Sequence, residues 1–245
     1  NSLITCLQGV QVMDWVQDKT IIYSEETGLK SIENSQLILA TGARELLLPF
    51  PGWTLPQVFG CGGAQALLKS GMNVQGKRIV VAGTGPLLLV VAAGLSQAGA
   101  EILAIVEQSP FKKQAAFGLK MLKQPGKLLQ GVGYRWQTRK SPMYFDTWVK
   151  EAQGDEKVQR VTLSNGKKEW TLETDILAVG YHLIANTELA RIIACELDGK
   201  NIAVDDIQQT SVDGVFCAGE GAGIGGVDTS LLEGKIAALA ASGHE

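Results

Sequence analysis

A glycine turn between two apolar segments constrains the fold of this chain more than any other feature. The segment RIVVAGTGPLLLVVAAGLSQAGAEILAIVEQ spans residues 78–108 and begins with an apolar run that predicts a buried strand. The GTGP stretch at 83–86 predicts a tight turn, and its proline opens a helix that we expect to end near Gln97. A second apolar strand follows. This order of elements predicts one αβ unit of a parallel sheet.

The two glycines have the spacing of a dinucleotide-binding turn. In such turns the first glycine, here Gly83, allows the tight bend, and the second, Gly85, lets a pyrophosphate approach the backbone. The start of the helix supplies free N–H groups to the phosphates. Leu88 replaces the third glycine of the pattern, so we expect the helix to lie slightly farther from the strand or at a changed angle.

An acidic residue supports a nucleotide site. Glu107 ends the second strand about 20 residues after the turn, where a carboxylate can accept hydrogen bonds from ribose hydroxyls. Because it would repel a 2′-phosphate, the sequence predicts NAD over NADP, although Lys112 and Lys113 follow closely. A βαβ unit that binds nothing is the alternative, since one such glycine motif is weak evidence. The residues predicted to contact the nucleotide are Gly83, Thr84, Gly85, Pro86, Leu87, Glu107, Gln108 and Gly180.

Charge and composition exclude several classes of protein. No charged residue lies between Arg78 and Glu101, but the glycine turn leaves an apolar helix of about ten residues, short of the roughly 20 that cross a bilayer. We therefore expect no membrane span. A net charge of −3 argues against a nucleic-acid partner, and 45% hydrophobic residues with 29 glycines are typical of a compact α/β protein. The first residues, Asn-Ser-Leu, suggest an internal cut rather than a secretory signal.

Cysteines and histidines give no catalytic or metal-binding pattern. Cys6, Cys61, Cys195 and Cys217 are far apart, which predicts neither a redox pair nor a zinc site and favours a reducing cytoplasm. Cys61, between two glycines, is expected to be accessible, and Cys217 to belong to the core. The two histidines, His182 and His244, lie near no nucleophile or carboxylate at catalytic spacing, so the catalytic residues are unknown.

The rest of the chain predicts three consecutive regions. Short β-rich runs up to Ala40 predict an antiparallel meander, and a strand ends in a Thr-Gly turn within LILATGAR, residues 37–44. Further strands follow the glycine turn, and an Ala-rich helix is expected from about Ser230. Ser230 and Glu233 have the spacing of a capping box. We predict segments 1–52 and 186–245 around a nucleotide-binding domain at 53–185.

Three motifs in this order resemble the pyridine nucleotide-disulfide oxidoreductase superfamily. They are LILATGAR at 37–44, VVAGTGP at 80–86 and TSVDGVFCAGEGAGIGG at 210–226. The residues of these motifs are most similar to those in the FAD/NAD-linked subunits of opine oxidase, hydrogen cyanide synthase and dye-linked amino-acid dehydrogenases. The resemblance implies an α/β fold in which a Rossmann-like NAD(P)-binding domain is inserted in a partial FAD-binding domain of the glutathione-reductase type.

The same resemblance implies a flavin site and a partner subunit. It places one group of residues beside the flavin ribityl chain and ring: Thr41, Gly42, Ala43, Arg44, Gly219, Glu220 and Ser230. Two departures from the family pattern occur. The first FAD fingerprint would lie before residue 1, so we expect the 245-residue chain to purify without flavin and an extended one to carry FAD. Glu220 stands where the family has aspartate, which keeps the acceptor chemistry with a longer reach.

Two classes of function stay open at this point. The first is an FAD-dependent, pyridine-nucleotide-linked oxidoreductase, or one of its subunits, in which the cofactors carry the chemistry and the protein orients them. The second is a non-catalytic subunit that holds ADP, ATP or NAD as a structural element of a multi-subunit dehydrogenase. The sequence does not identify the substrate.

Overall fold

The computed structural model describes residues 4–16, 19–113 and 125–243, which form two compact units. The larger unit comprises residues 45–182, and the smaller unit combines residues 1–44 with 183–245. The sequence predicts boundaries at 52/53 and 185/186, and these domain limits stay a prediction. None of the helices in the described ranges is long and apolar enough to cross a membrane.

The larger unit contains a five-stranded parallel sheet. Its order is β6-β13-β7-β8-β9, and all four neighbouring pairs are parallel. The strands are β6 (Val58–Gly60), β7 (Arg78–Gly83), β8 (Glu101–Glu107), β9 (Met143–Tyr144) and β13 (Ile176–Gly180). Within the described ranges, the helices of this unit with both ends defined are α1 (Cys61–Lys69), α2 (Leu87–Gln97) and α3 (Pro125–Gln137). The predicted order of strand, glycine turn, helix and strand is therefore confirmed, with the helix ending at the expected residue.

Two hydrophobic clusters cover opposite faces of this sheet. On one face Ile79 and Val81 pack with the buried residues of α1 and α2, and on the other Val80 and Ala82 pack against a second, antiparallel sheet. That sheet consists of β10 (Trp148–Gln153), β11 (Arg160–Ser164) and β12 (Glu169–Glu173). Because both faces are covered, β7 is apolar at consecutive positions and does not alternate.

The smaller unit combines an antiparallel meander with a pair of parallel strands. The meander, predicted from the sequence, consists of β1 (Gln11–Val16), β2 (Thr20–Glu25) and β3 (Gly28–Glu33). The parallel pair is β4 (Leu37–Leu39) with β17 (Val215–Cys217). The remaining elements are β5 (Ala43–Glu45) paired with β14 (Leu183–Ala185), β15 (Leu197–Asp198) paired with β16 (Asn201–Ile202), α4 (Glu188–Ile192) and α5 (Val227–Ala241).

Candidate functional site

Gly83 lies directly against the neighbouring strand of the parallel sheet. Its φ is +144°, and a Cβ atom built on it would lie 1.9 Å from the carbonyl oxygen of Gly180. The two glycines are paired in the sheet, and the N–H of Thr84 donates to the same carbonyl at 2.8 Å. Any side chain at Gly83 would therefore push β7 away from β13. The first glycine of the turn is required by packing, whatever the turn binds.

Gly85 has a different reason to be glycine. Its φ is +97°, and a Cβ built on it would meet nothing within 4 Å. The space in front of the turn is open at the carboxyl end of the sheet, where ligands bind in open α/β sheets. Helix α2 begins two residues later with Leu87, whose N–H has no partner among the described residues. This arrangement fits a phosphate group against the turn and the helix N-terminus.

Leu88 fills the position of the missing third glycine. It is 1% exposed and belongs to the cluster that α1 and α2 form on the sheet. One of its methyl carbons lies 3.9 Å from a Cβ built on Gly180, so the leucine packs near the end of β13. The leucine at this position is therefore part of the hydrophobic core below the turn.

Glu107 is bound to the turn itself. Its side chain is 1% exposed, and Oε2 accepts the N–H of Gly85 at 2.9 Å. Oε1 accepts the hydroxyl of Thr84 at 2.7 Å and the N–H of Ser109 at 2.8 Å. The ribose contact predicted for Glu107 stays a prediction. The sequence does not reveal that Thr84 and Ser109 hold this carboxylate. Thr84 lies more than twenty residues before Glu107, and only the fold brings the two together.

The other residues predicted for the nucleotide surround the same turn. Gln108 is exposed and its N–H donates to the carbonyl of Gly83 at 2.7 Å. Pro86 is exposed and forms the N-cap of α2. Gly180 ends β13 and is buried. The structure thus brings all eight predicted residues to one edge of the parallel sheet.

In the smaller unit, Asn186 anchors the Thr-Gly turn of LILATGAR. Thr41 donates its hydroxyl to the Asn186 carbonyl at 2.7 Å, and the Asn186 side-chain amide donates to the Thr41 carbonyl at 2.9 Å. The N–H of Asn186 also donates to the Gly42 carbonyl at 3.0 Å. The Arg44 guanidinium donates to Asn186 Oδ1 and pairs with Glu188, each at 2.8 Å. No local sequence signal points to Asn186, since it lies far along the chain from its partners.

The glycine-rich segment after β17 lies beside this turn. The parallel pairing of β4 with β17 brings their carboxyl ends together, and a Cβ built on Gly221 would lie 3.5 Å from the Thr41 hydroxyl. Glu220 lies in a 3₁₀ turn, half-buried, and its side chain has no hydrogen bond within the described residues. Gly42 has a φ of +65° with open space around its Cα. The smaller unit therefore gathers most of the predicted flavin contacts at one edge.

Ser230 does not start the last helix, and the predicted capping box is wrong. Helix α5 begins at Val227 after Gly226, whose φ of +83° ends the irregular glycine-rich segment. The Ser230 hydroxyl donates to the Gly226 carbonyl at 3.1 Å, one turn back in the helix. Glu233 accepts the N–H of Gly219 at 2.8 Å. Glu233 therefore holds the turn after β17 and does not cap a helix at Ser230.

The cysteines form no redox centre in the described ranges. Cys61 is fully buried, which corrects the expectation that it is accessible. Burial, and secondarily the charge of Glu45, raise the pKa of its thiol far above the ordinary value. Glu45 accepts the N–H groups of Gly62 and Gly63 at the start of α1, at 2.8 and 3.1 Å. Cys217 is buried as predicted, with a pKa raised to about 12 mainly by desolvation.

Histidines and acidic residues do not form a metal centre in the part of the chain that the structure describes. His182 is exposed, with its carbonyl accepting the N–H of Leu46, and His244 lies outside the described residues.

Comparison with solved structures finds the same architecture in a thioredoxin reductase and in an NADH oxidase. The thioredoxin reductase of T. acidophilum matches with a TM-score of 0.72 and 23% identity over 96% of this chain and 73% of that one. The water-forming NADH oxidase of Lactobacillus brevis, solved with NADH, matches with a TM-score of 0.68 and 17% identity over 93% of this chain and 51% of that one. These matches confirm the predicted fold class.

Sequence comparison identifies the relatives. The hydrogen cyanide synthase subunit HcnB of Pseudomonas aeruginosa is 34% identical over 90% of this chain and 51% of its own length. An opine oxidase subunit from Agrobacterium tumefaciens is 29% identical over 86% of this chain and 44% of its own length. The chain thus spans about half the length of the curated relatives that it matches. The family model described as pyridine nucleotide-disulphide oxidoreductase matches residues 1–238, so this chain belongs to that family of oxidoreductases.

Proposed function

We propose that this chain is the nucleotide-carrying part of an FAD- and NAD-linked oxidoreductase. It would pass hydride or electrons between a pyridine nucleotide, a flavin, and an amino-acid or opine-type substrate or a partner subunit. The observation that carries the proposal is the turn at Gly83 and Gly85, with its open front, its free helix N–H group and its buried acidic neighbour. Family membership supports the reaction class.

The turn in the larger unit fits the pyrophosphate of a dinucleotide. Gly85 keeps its surroundings clear, and the Leu87 N–H would donate to a phosphate oxygen. Glu107, at the end of the next strand, would receive a ribose hydroxyl and disfavour a 2′-phosphate. We therefore propose NAD as the preferred nucleotide.

The two turns in the smaller unit fit the ribityl chain and ring of a flavin. Thr41 and Gly42 would lie on one side and Gly219 and Glu220 on the other, with Glu220 free to accept from ribityl hydroxyls. The flavin, when bound, supplies the hydride and electron chemistry, and the protein groups orient it. Asn186 would hold the first turn in place through its bonds to Thr41.

A partner subunit is part of this proposal. The relatives named above are subunits of hydrogen cyanide synthase and opine oxidase, which supports a multi-subunit enzyme here as well. A non-catalytic role is the second candidate, because Leu88 stands where the glycine turn usually has its third glycine and the relatives are subunits of larger enzymes. In that case the turn would hold ADP, ATP or NAD as a structural element.

Calorimetric titration of the whole protein with NAD, NADP and ADP tests the nucleotide site. Gly85→Val should abolish binding because its side chain would fill the space that the pyrophosphate needs. Gly71→Val is the matched control: Gly71 has a φ of +95° and equally open surroundings, but it follows α1 and lies away from the turn. Equal affinity in the Gly85 variant and the wild type would refute the site.

Anaerobic addition of NADH to the flavin-loaded protein separates the two candidate functions. Bleaching of the flavin absorbance is expected of the oxidoreductase. Binding of ADP as tight as that of NAD, together with an unchanged flavin spectrum, would support the structural role instead.

A further inference from the structure

The carboxylate of Glu107 has its acceptor capacity almost filled by its own chain. An ionised carboxylate offers about four acceptor positions, two on each oxygen. Oε1 accepts both Thr84 Oγ1–H and Ser109 N–H, and Oε2 accepts Gly85 N–H. One position on Oε2 has no donor among the described residues.

A short chain of hydroxyl groups maintains this state. Thr84 has one hydroxyl proton, which it gives to Glu107 at 2.7 Å. The Ser109 hydroxyl lies 2.8 Å from Thr84 Oγ1 and must therefore be the donor between the two. The order of donation is Ser109 to Thr84 to Glu107. Hydrogen bonds that end on a charged group are stronger than neutral ones, and linked bonds support each other.

Burial restricts the Glu107 carboxylate to one orientation. Glu107 is 1% exposed, so it cannot rotate to another partner in solvent without leaving Thr84, Gly85 and Ser109 unsatisfied. A buried polar group without its partners is costly, and the bonds therefore define one orientation. The remaining acceptor position is fixed relative to the Gly85 N–H, which belongs to the phosphate-facing turn.

We propose that Thr84 and Ser109 are positioning residues for nucleotide selection: through their hydroxyl groups they fix the Glu107 carboxylate that distinguishes NAD from NADP. This inference rests on the nucleotide site proposed above. It assigns to Thr84 a role toward Glu107 in place of a direct contact with the ligand. A fixed carboxylate accepts one ribose hydroxyl and repels a 2′-phosphate, whereas a loosened one does both less well.

Thr84→Val tests the proposal because valine keeps the shape and removes the hydroxyl. We expect the dissociation constant for NAD to rise about tenfold, because the hydrogen bond from the ribose to the charged Glu107 is weakened or lost. The preference for NAD over NADP should fall as well. Thr84→Ser should restore both. Ser109→Ala should produce a smaller change in the same direction, because it removes only the donor to Thr84.

Thr162→Val is the matched control. Thr162 lies half-buried in the same unit and its hydroxyl also donates to a glutamate, Glu151, at 3.3 Å, but on the antiparallel sheet. It should leave both dissociation constants unchanged.

Three outcomes would overturn the inference. Wild-type affinity and selectivity in Thr84→Val would show that the hydroxyl positions nothing. Equal weakening of NAD and NADP would assign Thr84 to the stability of the turn alone. A wild-type protein that binds neither nucleotide would refute the proposed site and this inference together, whereas in the first two outcomes the site itself stands.

Discussion

The two glycines of the turn should respond differently to the same small substitution. Gly83→Ala places a methyl group 1.9 Å from the Gly180 carbonyl oxygen and 2.5 Å from its carbon, both backbone atoms that cannot rotate away. Gly85→Ala places one in open space. The first variant should therefore lose most stability, and the second should lose affinity for the ligand with a smaller loss of stability.

The magnitudes follow from the contacts. To accept a methyl group at Gly83, β7 must move by about 1 Å from β13, an overpacking that costs about 1–3 kcal/mol. The hydrogen bond from Thr84 to Gly180 is disturbed as well, at a cost of about 1 kcal/mol. The positive φ adds about 1–2 kcal/mol for any residue with a Cβ, and this strain is the only cost at Gly85. We expect losses of about 3–6 kcal/mol for Gly83→Ala and about 1–2 kcal/mol for Gly85→Ala.

Urea unfolding followed by tryptophan fluorescence measures this difference. The larger unit contains four of the five tryptophans, Trp53, Trp136, Trp148 and Trp170, so its unfolding is visible directly. Gly71→Ala, at a φ of +95° in open space, calibrates the cost of backbone strain alone. If Gly83→Ala and Gly71→Ala had the same unfolding free energy, the close contact with Gly180 would not exist and the reasoning would fail.

Three further outcomes can be measured on the same protein. In the native state Ellman's reagent should not modify Cys61, because burial raises the pKa of its thiol, and the thiol should react once the protein is unfolded; rapid modification in native buffer would contradict its burial. The pKa of Asp175 is lowered, first by the backbone N–H of Arg78, so the stability that Asp175→Asn removes should be present above about pH 4 and disappear as the pH falls further; a difference from wild type that does not depend on pH would refute this. Asn186→Ala should destabilise the smaller unit by about 1–3 kcal/mol, because the Thr41 carbonyl loses the side-chain amide donor and the Arg44 guanidinium loses the Oδ1 acceptor, and unchanged unfolding would show that these two bonds are dispensable.

Local features of the sequence predict the elements around the glycine turn correctly. The apolar run of β7, the positive φ that glycine allows and the proline at the helix start act within a few residues of each other. Their physical effect does not depend on the rest of the fold. This is why the limits of α2 and of the strand ending at Glu107 follow from the sequence.

Partners of side chains are less predictable because they depend on which distant segments the fold brings together. Asn186 meets Thr41 only through the pairing of β5 with β14. Glu233 has the spacing of a cap for the helix at Ser230, but the glycine before Val227 starts the helix earlier and leaves the carboxylate for Gly219. For Cys61, two flanking glycines suggest exposure, whereas the fold places its thiol against Gly180.

The chain enters and leaves the larger unit at adjacent points. The N–H of Leu46 donates to the carbonyl of His182 at 2.8 Å, and β5 pairs with β14 immediately outside them. For the smaller unit, the whole segment from 46 to 182 is therefore a closed loop whose two ends are already joined. Folding of the larger unit already brings the two ends together and so covers the entropic cost of closing the loop. The length of the insert therefore adds little to the free-energy cost of ordering the smaller unit. Chain ends that lie this close together are what allows one domain to be inserted into another.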